Sequence, residues 1–244
     1  IIITHTHFDH YGLAGKLKEV SKAELILHEL EVEVINNRWI NFDGFLRKME
    51  CHFHQYGAPA NEIATFLKFL NSQEQFVMPA FPDRTLRGSE NLSFGSFELN
   101  VLLTPGHSVG HICLYESKKK LLFSGDHILA EGAPIVPFLP GHGENPLGDF
   151  INSLHFLNNL AADLVLPAHG SAFSRISERI QQIFDYLNQR LIAVANALED
   201  EPKTAYTITK ETFVSENERD SWENTSSVRR TVTFLEILSY LQLL

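Results

Sequence analysis

A run of seven residues near the start of the chain contains four side chains that can bind a metal ion. Thr4-His5-Thr6-His7-Phe8-Asp9-His10 follows the apolar Ile1-Ile2-Ile3, which is typical of the end of a buried β-strand. A loop that leaves a strand can bring the three histidines and the aspartate together, whereas a regular helix would direct them to different faces. Imidazole and carboxylate suit zinc, iron or manganese, and the absence of cysteine from this run argues against a purely structural zinc site.

Three later segments share one pattern, in which a short apolar strand leads into a tight turn and then to a His or an Asp. They are Thr104-Pro105-Gly106-His107, Phe123-Ser124-Gly125-Asp126 and Pro167-Ala168-His169-Gly170. The proline or glycine in each segment permits the tight turn. Four strand ends that each carry residues of the ligand type predict one metal centre assembled from distant parts of the chain.

The complete pattern, THTHFDH followed by TPGH, SGD and PAHG, resembles the signature of the metallo-β-lactamase fold hydrolases over roughly residues 1–172. The resemblance implies an α/β fold, the αββα sandwich, with two divalent metal ions. These would be zinc, with iron or manganese as alternatives. By the resemblance, the first ion is held by His5, His7 and His107, the second by Asp9, His10 and His169, and both are bridged by Asp126.

Two ions about 3.5–4 Å apart can share a water molecule and lower its pKa to about 7, which supplies hydroxide at neutral pH. We therefore predict a binuclear metallo-hydrolase in which Asp126 and Asp9 are catalytic, with Asp9 also orienting the hydroxide. His142 lies in a Gly-rich loop that borders the cleft in related hydrolases, and we predict that it contacts the substrate or donates a proton. His111 and His127 flank ligand segments and are expected to support the ligands.

The substrate is predicted from charge and composition. The net charge of −10 disfavours duplex or long RNA, because a phosphate backbone requires a basic surface. A small acyl substrate such as a thioester or a lactone suits an apolar, aromatic cleft better. Single-stranded RNA is the alternative substrate, and the chain would then be an endoribonuclease. Alternatives of another class are an oxygenase with one iron and a non-catalytic nucleic-acid-binding protein.

The elements around the predicted centre fall into two regions. Residues 29–78 are rich in helix formers and aromatic residues, and we interpret them as a helical lid over the active site. Residues 92–101 and 112–123 predict two hairpins. Together with the ligand segments, these elements make up a predicted catalytic domain over residues 1–173.

The C-terminal region has a different composition. Apolar spacing predicts helices at 176–198, 209–214 and 226–241. This pattern resembles the small, mostly helical, winged-helix-like domain of one branch of the family, so residues 174–244 are predicted to form a second domain.

Composition sets the outer limits. The 244 residues are enough for a hydrophobic core with a small additional domain, and no apolar run reaches the length of a membrane span. Cys51 and Cys113 are far apart in the sequence, which indicates a reducing compartment, and we expect the protein to be located in the cytoplasm.

In the family several strands precede the His-rich loop, so we expect the N-terminal part of the sandwich to be missing. The expected partner is a small molecule, with RNA as the alternative and a homodimer as an assembly to consider.

Overall fold

The chain forms an α/β fold with two β-sheets, as seen in a computed structural model that describes residues 1–198, 201–214 and 221–244. The smaller sheet contains the parallel strands β1 (Ile26–His28) and β2 (Arg84–Leu86). The larger sheet contains, in spatial order, β3 (Asn91–Phe94), β4 (Phe97–Leu103), β5 (Ile112–Glu116), β6 (Leu121–Gly125) and β7 (Leu164–Pro167). Neighbouring strands from β3 to β6 are antiparallel, and β7 is parallel to β6. The predicted α/β class and both hairpins are confirmed.

The residues before the His-rich loop run alongside the smaller sheet. Ile2 pairs in parallel with Ile26 as an isolated bridge, and the Ile3 N–H donates to the Ile26 carbonyl at 2.9 Å. The strand predicted at Ile1–Ile3 is thus a short extended segment beside β1. Because Ile3 is also buried in the main apolar core, this segment fixes the point from which the His-rich loop departs.

The prediction that the whole His-rich run is a loop is wrong at its end, because Asp9 and His10 lie in the one-turn helix α1 (Phe8–Tyr11). Helix α2 (Ala14–Ser21) follows, and further helices fill the predicted lid. The lid contains α3 (Glu29–Val34), a π-helical segment (Ile35–Ile40), α4 (Phe42–Gln55) and α5 (Ala60–Glu74). Helix α4 is separated from α5 by the turn Gly57-Ala58-Pro59, in which Gly57 has a φ of 82° and Pro59 precedes the first turn of α5. Within the described ranges, no helix combines the length and apolar character needed to cross a membrane.

Four more helices complete the described fold. They are α6 (Pro146–Leu157), α7 (Ile176–Ala197), α8 (Ala205–Glu211) and α9 (Ser227–Leu243). The limits predicted for α8, 209–214, are wrong. The Thr204 side chain accepts the Thr207 N–H at 3.1 Å, and this N-cap starts the helix at Ala205.

The C-terminal helices pack against the lid. Phe234 and Leu238 of α9 belong to the same apolar core as Phe53 of α4 and Phe66 of α5, and the rings of Phe53 and Phe234 lie 6.0 Å apart. Burying these large side chains between α9 and the lid stabilises both by the hydrophobic effect. The winged-helix-like character of residues 174–244 and the domain limit at 173 stay predictions.

The turn that carries His107 rests directly on the core under the larger sheet. Phe150 of α6 is fully buried in that core, together with Leu122 of β6 and Val165 of β7. Gly106 has a φ of 132°, and a Cβ added to it would lie 2.4 Å from the Cβ of Phe150. Only glycine fits this contact without displacing the turn.

We predict that Gly106→Ala lowers the free energy of unfolding by about 3 kcal/mol, because the new methyl group clashes with α6 and the backbone conformation is strained. Gly95→Ala is the matched control, since Gly95 also has a positive φ, of 58°, but a Cβ there would meet nothing within 4 Å. The control should lose about 1 kcal/mol. Denaturant unfolding in the presence of a chelator measures both, and equal losses would contradict the packing argument.

Candidate metal centre

Three histidines meet where the His-rich loop approaches the turn after β4. His7 Nδ1 lies 3.0 Å from His5 Nε2 and 2.9 Å from His107 Nε2, and the latter two atoms are 3.3 Å apart. The His107 Nδ1–H donates to the Ile135 carbonyl at 2.7 Å, so His107 Nε2 carries a lone pair. Burial, followed by the neighbouring histidines, lowers the pKa of both His5 and His7 well below the usual value. Neutral rings with nitrogens this close together form a cradle for a cation.

A second group lies beside the first. His169 Nε2 is 3.2 Å from His10 Nε2 and 3.2 Å from Asp9 Oδ2, and His10 Nε2 is 3.5 Å from the same carboxylate oxygen. Burial opposes protonation of His10, but Asp126 and Asp9 raise its pKa to about 9. The surrounding carboxylates therefore favour a positive charge at this position, and a metal ion would supply it.

Asp126 lies between the two groups. Its Oδ2 is 3.3 Å from His10 Nε2 and 3.6 Å from the Nε2 atoms of both His107 and His169. Its Oδ1 is buried and has no hydrogen-bond partner among the described residues. A buried carboxylate oxygen without a donor is costly, and a bound cation would satisfy it. The geometry therefore fits a bridging ligand.

The structure brings all seven residues of the predicted ligand set together. The ligand atoms within each of three sets lie within 4.8 Å of one another, and these sets are His5, His7 and His107; His5, His10 and Asp126; and Asp9, His10 and His169. Two of them are the two predicted metal positions. Imidazole nitrogens and carboxylate oxygens are the donors that zinc, iron and manganese accept. The residues fit two divalent ions, and metal binding itself stays a prediction.

His111 supports Asp126 from behind. His111 Nε2 accepts the Asp126 backbone N–H at 3.1 Å. In a neutral ring Nδ1 then carries the proton, and the Nδ1–H donates to Thr104 Oγ1 at 2.8 Å. Gly125 has a φ of 53°, and a Cβ there would lie 2.5 Å from His111 Nε2. His127 instead packs on Phe150 with ring centroids 4.5 Å apart, and burial lowers its pKa to about 3.

Glu31 connects the two loops that carry the first group of histidines. Its fully buried carboxylate accepts the Thr6 N–H at 2.8 Å and the Gly110 N–H at 2.9 Å, and also the hydroxyl groups of Thr6 and Ser108. Thr6 stands between His5 and His7, and Ser108 follows His107. No sequence pattern distinguishes Glu31 from its neighbours, because Glu29, Glu31 and Glu33 alternate with apolar residues.

The lid contacts the His-rich loop and lines a cavity beside the candidate metal centre. The Trp39 Nε1–H donates to the Thr6 carbonyl at 2.9 Å, which fixes the lid to the His-rich loop. A cavity of about 430 Å³ opens beside the ligand groups. On the apolar side it is lined by Phe45, Met49, Phe66, Phe69, Leu70, Leu129, Ile135, Val232 and Leu235. The lid and α9 therefore supply much of an apolar wall that faces the predicted metal positions.

His142 is buried next to this cavity but lines a smaller one of about 120 Å³, which it shares with Arg38 and Phe45. Burial, with Arg38 and His107 as further causes, lowers the pKa of His142 to about 3, so its ring is neutral at neutral pH. Its catalytic role stays a prediction. As a neutral ring it would act through a hydrogen bond rather than as an imidazolium acid.

Comparisons with known proteins show what this chain is similar to. A family model described as the metallo-beta-lactamase superfamily matches residues 1–169. The probable metallo-hydrolase YqjP of Bacillus subtilis is 26% identical over 242 residues, which are 97% of this chain and 74% of that protein. Acyl-coenzyme A thioesterase MBLAC2 of Gallus gallus is 28% identical over 186 residues, which are 75% of this chain and 59% of that protein.

Two solved structures are similar over almost the whole chain. A metallo-beta-lactamase family protein from Thermus thermophilus has a TM-score of 0.85 at 29% identity, covering 100% of this chain and 73% of that one. A beta-lactamase domain protein from Burkholderia ambifaria has a TM-score of 0.81 at 26% identity, covering 99% of this chain and 68% of that one. The predicted fold, including a helical C-terminal region, is confirmed.

We predict that Glu31→Gln lowers the free energy of unfolding by about 2–3 kcal/mol, because an amide cannot accept all four of the hydrogen bonds that the carboxylate accepts. Loosening the two loops should also weaken zinc binding by about ten- to a hundredfold. Denaturant unfolding and competition with a chromogenic chelator measure these effects. Glu33→Gln, an exposed neighbour in α3, is the matched control, and equal behaviour of the two variants would contradict the proposed role of Glu31.

Proposed function

Because this chain belongs to the metallo-beta-lactamase superfamily, we propose that it is a binuclear metal-dependent hydrolase that cleaves a small acyl substrate, a thioester in particular. One observation carries the proposal. All seven ligand-type side chains converge beside a cavity of about 430 Å³ whose other lining residues are mostly apolar. A polar reacting centre next to an apolar wall suits an acyl group attached to a polar leaving group.

Each side chain has a role in this proposal. When bound, two divalent ions, zinc in the first place, would polarise the acyl carbonyl and supply a water molecule of lowered pKa. His5, His7 and His107 would hold the first ion, Asp9, His10 and His169 the second, with Asp126 between them. Without an ion, a hydrogen bond from His10 holds the pKa of Asp9 below its usual value. A cation at the same position would act in the same direction, so the carboxylate would be ionised and could orient the attacking water.

The overall reaction adds water to the acyl carbon and breaks the bond from that carbon to sulfur, which releases an acid and a thiol. The apolar wall would bind the hydrocarbon part of the acyl group and exclude bulk water from the reacting carbon. The acyl-coenzyme A thioesterase among the relatives supports a thioester over a lactone. Single-stranded RNA stays the alternative, with less support, because a net charge of −10 disfavours binding of a phosphate backbone.

The chemistry of the donor set also distinguishes the classes of function. An oxygenase with one iron would need only one of the two groups of ligands, whereas the seven side chains provide donors for two ions. A non-catalytic binding protein would need neither group. The identity of the metal, the homodimer and the cytoplasmic location stay predictions.

We predict that Asp126→Ala lowers the metal content of the purified protein, for which two ions per chain are expected, and reduces thioester hydrolysis by at least about a thousandfold, because the carboxylate that lies between the two ligand groups is lost. Elemental analysis and the release of thiol from an acyl thioester measure the two effects. Asp163→Ala is the control, since Asp163 is an exposed carboxylate that pairs with Lys120 at 3.3 Å. An Asp126→Ala protein with full metal content and turnover would contradict the proposal, and RNA cleavage without thioester cleavage would favour the alternative.

A further inference from the structure

A buried arginine shares the cavity with the candidate metal ligands and has no place in the proposed reaction. Arg38 lies in the π-helical segment of the lid and is 8% exposed. It lines the 430 Å³ cavity together with His7 and Asp9, and it also lines the smaller cavity beside it. An arginine is rarely buried to this extent unless its charge is compensated.

The guanidinium of Arg38 is held in place but is poorly compensated. Its carbon lies 4.8 Å from the ring centroid of Trp39 and 5.4 Å from that of Phe45, and Nη2 donates to Gln73 Oε1 at 3.3 Å. Its Nε is buried and has no hydrogen-bond partner among the described residues. The guanidinium therefore packs against aromatic rings and has an unsatisfied donor.

No carboxylate of the described chain forms an ion pair with Arg38. Glu31 and Asp9 act on it only through longer-range attraction, and the Glu31 carboxylate already accepts from Thr6, Ser108 and Gly110. Burial lowers the pKa of Arg38 to about 10, so it is still charged at neutral pH. The cavity thus contains a positive charge that has no carboxylate in direct contact among the described residues.

We propose that Arg38, with Gln73 beside it, binds a carboxylate on the acyl group of the substrate, so that the preferred substrates are thioesters of dicarboxylic acids. This inference rests on the proposed thioesterase function and specifies its substrate class. A planar guanidinium with free donors matches a carboxylate in shape and charge, and the low-dielectric wall strengthens the pair. Arg38 is then a substrate-binding residue, and the apolar side chains around it contact the carbon chain between the two carbonyl groups.

The test compares two acyl groups of equal length. A glutaryl and a pentanoyl thioester of the same thiol differ only in a terminal carboxylate against a methyl group. The wild-type protein should hydrolyse the glutaryl thioester with a kcat/KM at least about tenfold higher, and Arg38→Met should abolish this preference mainly through KM. Arg38→Lys, which keeps the charge but not the planar fork, should retain part of it.

Calorimetric titration with glutarate and with pentanoate provides a readout that needs no turnover. Because pentanoate also carries one carboxylate, the readout is the difference between proteins, and Arg38→Met should bind glutarate at least about tenfold more weakly than the wild type does. Arg47→Met, an exposed arginine of α4, is the control for net charge and should behave like the wild type. If the wild type cleaves neither thioester, the proposed function fails, while the titration still decides the role of Arg38.

Three outcomes would overturn the inference. Arg38→Met binds glutarate as tightly as the wild type does. Arg38→Met keeps the preference for the glutaryl thioester, which would make the arginine structural. Arg38→Met slows both thioesters to the same extent, which would place the guanidinium at the reacting carbonyl instead of at a distant carboxylate.

Discussion

Lone pairs and carboxylate charges gathered within a few ångströms repel one another unless a positive charge lies among them. In this protein His5, His7 and His107 bring neutral ring nitrogens to within 2.9–3.3 Å of each other. Beside them, Asp126 has a buried oxygen that no described group satisfies. Hydrogen bonds outside the ligand atoms hold these groups together, above all those to the Glu31 carboxylate and the one from His107 Nδ1–H to the Ile135 carbonyl. The arrangement is preorganised for cations, and the proposed hydrolysis depends on that preorganisation.

The lid contributes both to the metal centre and to the substrate cavity. Glu31 and Trp39 bind the His-rich loop from the lid side, while Arg38 and Phe45 face the cavity. Because α9 packs on α5 and also lines the cavity through Leu235, the C-terminal region helps to set the shape of the acyl site. A change in the lid is therefore expected to affect ligand geometry and substrate choice together.

Local patterns made the ligand set predictable, because each ligand follows a strand and a turn that are recognisable within a few residues. The contacts that hold those ligands were not predictable in the same way. Glu31 meets Ser108 across 77 positions and Trp39 meets Thr6 across 33, and nothing near either residue signals the partner. Helix α8 shows the limit within one element, since its start depends on the Thr204 cap and not on apolar spacing.

Anomalous diffraction from zinc-soaked crystals of this protein tests the binuclear centre most directly, because it locates each ion and needs no substrate. A binuclear centre should give two peaks of comparable height about 3.5–4 Å apart. One should lie among the nitrogens of His5, His7 and His107, and the other among Asp9, His10 and His169, with Asp126 contacting both. A single peak, or two peaks away from these side chains, would contradict the binuclear centre.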